Sequence, residues 1–301
     1  MMPLPEVSVI IPTLGLHERR DCLRRAIDSV LDQRGVVPHV IVVVNGSSYD
    51  AAFVQDLASR ATIELLHQSD ADLPGALRLG RSAVRTPWFA SLDDDDLLLP
   101  EALATRFAAL VSNPECDVVV TNGYSRDTHG DRLHAPDMRS VARDPLGALT
   151  QGNWLLPGSW LCRNSRATWE LFDRMPRYLE CTYLALRFST VLRPLFLDQP
   201  TVVWCTDTPA SLSKSRAFRL GQEPALRRLL EMELPANVRK CFRNRLGIAC
   251  HESASALLAE GHWASAWRLH LASLVEPNGW RRLHFTWKLA LTQLRGAAEV
   301  P

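Results

Sequence analysis

The sequence predicts an α/β fold: a doubly wound, mostly parallel sheet flanked by helices, with a helical C-terminal extension. Three observations predict it. Short β-branched runs alternate with amphipathic helical stretches up to Thr121. Polar loops follow several of those runs, where ligands of such sheets bind. After residue 215 the chain is helical in pattern and basic to its end.

The elements follow in order. "VSVII" (7–11) is a buried strand closed by Pro12. In 17–33, Leu23, Ala26, Ile27, Val30 and Leu31 keep helical spacing, with arginines on the other face. "HVIVVV" (39–44) is a second buried strand, ended by the turn-like "NGSS". "TIELLH" (62–67) is a third strand, and 74–84 is a helix despite its glycines. "WFASL" (88–92) is a fourth strand that runs into four aspartates, Asp93 to Asp96. Residues 100–111 are a helix with Pro100 near its first position, and 117–121 a fifth strand. Residues 125–160 are expected to be irregular, helices resume over 160–189, and "TVVWC" (201–205) is a late strand. A helix, a turn at Gly261 and another helix are expected over 252–277, too little for a repeat array.

Composition bounds the class. The 301 residues are 47% hydrophobic and 22% charged, ordinary for one large domain with an appendage. The expected boundary separates residues 1–215 from 216–301. Net charge is +1, which points to no nucleic-acid partner, but the charge is uneven. From Ser211 onward 14 Lys/Arg face 7 Glu, giving +7 and leaving −6 for residues 1–210. Seven scattered cysteines form no CxxC pair, so neither a disulfide framework nor a zinc site is expected. They read as reduced, mostly buried residues of a cytoplasmic protein. No signal peptide is recognisable, and no apolar run approaches the roughly 20 residues of a spanning helix. HExxH, GxxxxGK[ST] and GxSxG patterns are missing, which excludes zincin, P-loop and nucleophile-elbow chemistry.

The aspartates carry the first functional signal. Asp93 and Asp95 are two apart, so an extended backbone would project both to one side. Such a pair suits a hard divalent cation, Mn²⁺ or Mg²⁺, and a cation with open positions suits a diphosphate leaving group. The alternative is an acidic loop capping the next helix. Placement after the fourth strand, on the edge shared with "PT" and "NGSS", favours the metal reading.

Taken together, "VSVIIPT", "LRRAIDSVLDQ", "HVIVVVNGSS" and "WFASLDDDD" resemble the family-2 glycosyltransferases of GT-A fold, a Rossmann-like architecture, over roughly residues 6–215. The helix motif is Leu23, Ala26, Ser29, Val30, Leu31 and Gln33. The resemblance implies a nucleotide-sugar donor, a carbohydrate or lipid-linked acceptor, and inversion. It places Pro12 and Thr13 at the nucleotide base, Asp93 or Asp94 at the ribose, and Asp95, with Asp93, on the metal. Asp96 either contributes there or caps the helix starting near Pro100.

Three departures bear on the expected site. Asn45 stands where the family often has a base-contacting acid, or it is an αL turn residue before Gly46. Arg78 falls one place late for the family's phosphate-side arginine; Arg78 or Arg81 reaches the phosphate, or both are ordinary helix arginines. In "LECTYLALR" (179–187), Cys181 replaces the usual catalytic Asp, so the expected base shifts to Glu180, with Asp173 and Asp207 as fallbacks. Glu180 also reads as a plain first-turn helix acid. The loop 206–215 is a lid through Lys214 and Arg216, or a linker.

Two rival functions remain: a non-catalytic member that binds a nucleotide sugar or a partner, and a nucleotidyltransferase. The tryptophans Trp263, Trp267, Trp280 and Trp287 lie among Arg and His. They read either as a helix pair packed on its own domain or as peripheral contact with the inner face of a membrane.

Overall fold

A computed structural model describes residues 3–135, 137–167, 169–208, 211 and 214–298. They fall into two compact units, Met1–Ser211 and Leu212–Pro301. The first unit is built on a sheet ordered β3-β2-β1-β4-β8-β6-β9-β5, with β7 paired to β6.

One half of the sheet is parallel. β1 (Glu6–Thr13) pairs in parallel with β2 (Val37–Asn45) and β4 (Trp88–Ser91), and β2 with β3 (Ile63–Gln68). β1, β2 and β4 are apolar on both faces because helices cover them, hence their continuous hydrophobic runs. α1 (Arg20–Leu31) buries Leu23, Ala26, Ile27 and Val30, the stripe its spacing predicts. Aspartates start the next two helices. Asp50 accepts from the Phe53 amide at 3.1 Å to cap α2 (Ala51–Ala58), and Asp72 from the Gly75 amide at 3.0 Å to cap α3 (Leu73–Ala83). Gly80 explains why α3 tolerates its glycines. A Cβ there would stand 2.4 Å from Ile10 Cγ2, so only glycine lets the helix lie this close to the sheet.

The other half is mixed. β8 (Trp160–Arg163) lies antiparallel between β4 and β6 (Val118–Asp127). β6 pairs in parallel with β9 (Pro194–Cys205), and the two-residue β5 (Leu97–Leu98) pairs antiparallel with β9. The expectation of an irregular 125–160 is corrected. β6 runs on to Asp127 and turns into β7 (Gly130–Leu133), and α5 (Met138–Arg143) and α6 (Pro145–Ala148) precede β8. The polar stretch "NGYSRD" lacks apolar alternation, and β7 is exposed throughout, so periodicity could not reveal either. β9 likewise begins seven residues before the expected strand. Its prolines argue against a strand, yet Pro200 pairs with Asn122 where the β6–β9 register shifts.

α4 (Ala102–Ser112) follows Glu101, whose φ is 59°, so Pro100 belongs to the preceding turn and not to the helix. α7 (Glu180–Val191) completes the first unit. The second unit is helical: α8 (Arg216–Leu230), α9 (Ala236–Ala259), α10 (Trp263–Leu274) and α11 (His284–Ala298). Gly261, at φ 79°, makes the expected turn between α9 and α10. Among the described residues no helix is long and apolar enough to cross a membrane.

Candidate active site

The site lies at the carboxyl ends of β1, β2 and β4. The Leu92 amide still donates to Ile10 O, so the aspartates emerge directly from the sheet edge. The expected extended backbone is corrected: 93–96 form a turn, with the Asp96 amide donating to Asp93 O at 3.2 Å. The turn itself brings carboxylates together. One oxygen from each of Asp93, Asp95 and Asp96 lies within 4.8 Å of the others.

Each aspartate has its own surroundings. Asp94 is buried and accepts from Thr13 Oγ1 at 2.6 Å and from the Arg19 guanidinium. Arg19 also pairs with Asp95 at 3.1 Å. Asp96 is fully buried; its Oδ1 accepts from the Cys205 amide at 2.9 Å, while Oδ2 has no hydrogen-bond partner. It caps no helix. Burial, Asp95, Asp94 and Glu180 push Asp93 up to about 8. Burial, Asp93 and Asp95 hold Asp96 well above the usual carboxylate range. An orphaned buried carboxylate oxygen among crowded acids needs either protons or a cation. The all-oxygen donor set fits a hard ion such as Mg²⁺ or Mn²⁺, which Asp93, Asp95 and Asp96 would hold.

A pH dependence follows. Between the ordinary value of 3.8 and about 8, folded Asp93 holds a proton that the unfolded chain has released. That contribution is complete below the lower value and is lost as pH rises through the upper one. The rise in Tm caused by Mg²⁺ is therefore expected to grow from about pH 5.5 to about pH 8.5. A pH-independent rise would contradict this account of the cluster.

Arg19 was expected among the solvated arginines of the first helix, but it is 8% exposed. Burial alone would lower its pKa; Asp94 and Asp95 beside it more than offset that and raise it. It precedes α1 on the strand-end side, and no periodicity signal distinguishes it from Arg20 or Arg24. Arg19→Met is expected to cost about 3–5 kcal/mol, because Asp94 is left as an uncompensated buried charge. Urea unfolding of the single variants and of Arg19→Met with Asp94→Asn would check it, and additive losses would refute the coupling.

The residues expected on the nucleotide side cluster nearby. Pro12 and Thr13 end β1, and Thr13 Oγ1 also accepts from the Gly15 amide at 3.0 Å. Asn45 ends β2, is buried, and donates through Nδ2 to Thr13 O at 2.9 Å. The αL turn falls on Gly46, at φ 112°, and not on Asn45. Ser29 and Gln33 of the helix motif fasten the segment after the aspartates. The Leu98 amide donates to Ser29 Oγ at 3.1 Å, and the Leu103 amide to Gln33 Oε1 at 3.1 Å. Gln33 Nε2 donates to Leu99 O at 2.9 Å.

The two arginines of α3 differ. Arg78 is exposed and stands 4.0 Å from Asp72. Arg81 donates to Asn164 Oδ1 at 2.6 Å and Ala167 O at 2.7 Å, and lies over the Phe89 ring. It bolts α3 to the β8 region and is not free for phosphate.

Glu180 opens α7 and accepts from the Tyr178 amide at 2.8 Å, so the helix-start role is real. Its charge also reaches Asp93, and burial raises its pKa. Burial, Asp93, Glu180 and Asp96 all hold the Cys181 thiol well above its usual value. Thiolate chemistry at Cys181 is thereby opposed. Asp207 is exposed, and the Asp173 carbonyl accepts from the Tyr183 hydroxyl. Of the expected lid loop, Pro209, Ala210, Leu212 and Ser213 lie outside the described residues. Arg216 pairs with Glu260 within the helical unit.

A carboxylate cluster beside a strand-end Thr and Asn sits where open α/β sheets bind their ligands, at the carboxyl ends of the strands. Residues 8–167 match the family described as "Glycosyl transferase family 2", and the chain belongs to that family of enzymes. No curated protein matches the chain. Among solved structures, it is similar to S. aureus TarS 1-349, with 12% identity, 89% of this chain and 80% of that chain covered, and a TM-score of 0.53. The same protein in complex with UDP aligns at 12% identity, covering 83% and 72%, with a TM-score of 0.50. At this identity the likeness shows the fold, which is GT-A.

Proposed function

We propose that this glycosyltransferase moves a sugar from a nucleoside-diphosphate sugar to an acceptor hydroxyl with inversion. The convergence of Asp93, Asp95 and Asp96, with one orphaned buried oxygen, carries the reading. A divalent ion held there supplies charge stabilisation for the departing diphosphate. The protein's own groups do the rest. Thr13 and Asn45 receive the nucleotide. With Nδ2 committed to Thr13 O, Asn45 keeps Oδ1 as an acceptor, which suits the N3–H of uracil. UDP bound by the structurally similar TarS supports that preference. Glu180 takes the acceptor proton, and burial, by raising its pKa above the ordinary carboxylate value, makes it a stronger base for that task. The acceptor is a carbohydrate or lipid-linked carbohydrate of surface-polysaccharide type, and the setting is cytoplasmic.

Thermal shift with UDP, GDP, CMP and dTDP, each with and without Mn²⁺, tests the reading, followed by donor hydrolysis with the best binder. UDP with Mn²⁺ is expected to stabilise most. No metal-dependent binding of any nucleotide would refute the transferase. Binding without turnover would favour a non-catalytic member, the reading that Cys181 motivates.

A further inference from the structure

Helix α11 has two apolar faces where a surface helix needs one. Phe285 and Leu289 are buried within the helical unit. At the helical repeat, Leu283, Trp287 and Leu291 fall roughly opposite that pair, and Trp280 continues the same line from the preceding turn. These four are 53%, 74%, 54% and 68% exposed. Leu271 and Val275, at the end of α10, are also exposed. A contiguous line of exposed Trp and Leu is what marks an interaction surface, whereas scattered apolar residues do not.

Charge selects the occupant. From Trp263 to Ala298 there are 5 Lys/Arg and a single acid, Glu276, which is held by Arg243 at 2.8 Å. Lys288 and Arg281 are exposed along one shoulder of the apolar line, with His284 between them. Arg281 lies over the Trp280 ring, and Lys288 over Phe285. Arg282, by contrast, is buried and donates to Ser273 O and Pro277 O, so it serves the fold. Tryptophan and leucine on one face with cations on its flank match the headgroup zone of an anionic bilayer. A protein partner recognised by the same surface would need acids of its own opposite Lys288 and Arg281.

The geometry points to α11, with the turn carrying Trp280, as a membrane-docking face that lies in the plane of an anionic lipid surface. The helix lies on the bilayer and does not cross it. This inference is independent of the transfer reaction, since its readout is lipid binding.

The test is co-sedimentation of the full chain with neutral phosphatidylcholine vesicles and with vesicles containing one third phosphatidylglycerol. Binding is expected to the anionic vesicles, weakened by high salt, with a blue shift of tryptophan emission. The double variant Trp280→Ser/Trp287→Ser should lose at least about tenfold in partitioning. Trp280→Phe/Trp287→Phe should retain most of it, which separates lost contact from misfolding. Lys288→Glu with Arg281→Glu should weaken binding to anionic vesicles while leaving the unfolding midpoint in place. No binding to anionic vesicles would overturn the inference, as would binding that neither the serine pair nor the glutamate pair reduces. A dimer that the serine variant dissociates, without vesicle binding, would assign the face to a second copy instead.

Discussion

Asp95→Ala is expected to lower sugar transfer by about 1,000-fold and to abolish the Mn²⁺ dependence of nucleotide binding. Asp95 shares the carboxylate triangle with Asp93 and Asp96, and it is the member that Arg19 also holds, at 3.1 Å. Removing it takes away a charged oxygen and frees the guanidinium to turn wholly toward Asp94. The remaining pair would then present too few oxygens for a hard ion that prefers six. Radiolabelled donor hydrolysis and isothermal titration with UDP, with and without Mn²⁺, measure both effects. Turnover that survives the substitution would remove the role assigned to the cluster. Asp94→Asn should behave differently: Asp94 is consumed by Thr13 and Arg19, so its loss should appear first as lost stability.

Glu180→Gln is expected to reduce kcat by about 10²–10⁴-fold while leaving Mn²⁺-dependent nucleotide binding in place. The amide keeps the shape of the carboxylate and can still accept from the Tyr178 amide, so the start of α7 should survive. Only the ability to take a proton is lost. Cys181→Ser should stay within a few-fold of the native rate, because the thiol is held protonated by burial and by Asp93, Glu180 and Asp96. The kcat–pH profile gives a second reading. Burial raises the pKa of Glu180, so the acid limb should lie above the ordinary carboxylate range, with activity rising as pH increases through it. If Cys181→Ser abolishes transfer and Glu180→Gln does not, the base is the thiol.

Much of the parallel half of the sheet could be read in advance, for a simple reason. β1, β2 and β4 are buried on both faces, so burial itself writes continuous apolar runs. α1 shows its stripe because one face is buried and the other is wet. The aspartates, Thr13 and Asn45 stood out because strand ends carry the polar loops of such sheets. β7 and the outer half of β6 were hidden because both are polar, and β9 because it carries prolines, of which Pro200 sits at a register shift that only its partner defines.

The same division runs through the site. Asp93 and Asp95 could be singled out from their place at the end of a buried strand, and Glu180 from the resemblance of "LECTYLALR" to the family motif. Three things depended on distant contacts. Asp96 is a buried carboxylate with one oxygen bonded to the Cys205 amide, over a hundred positions away, and the other bare. Arg19 left the solvent because Asp94 and Asp95 arrive from the end of β4. Ser29 and Gln33 proved to be fasteners of the segment behind the aspartates. Periodicity reports which face of an element is dry; which charges meet across the fold is decided only when the strands are set side by side.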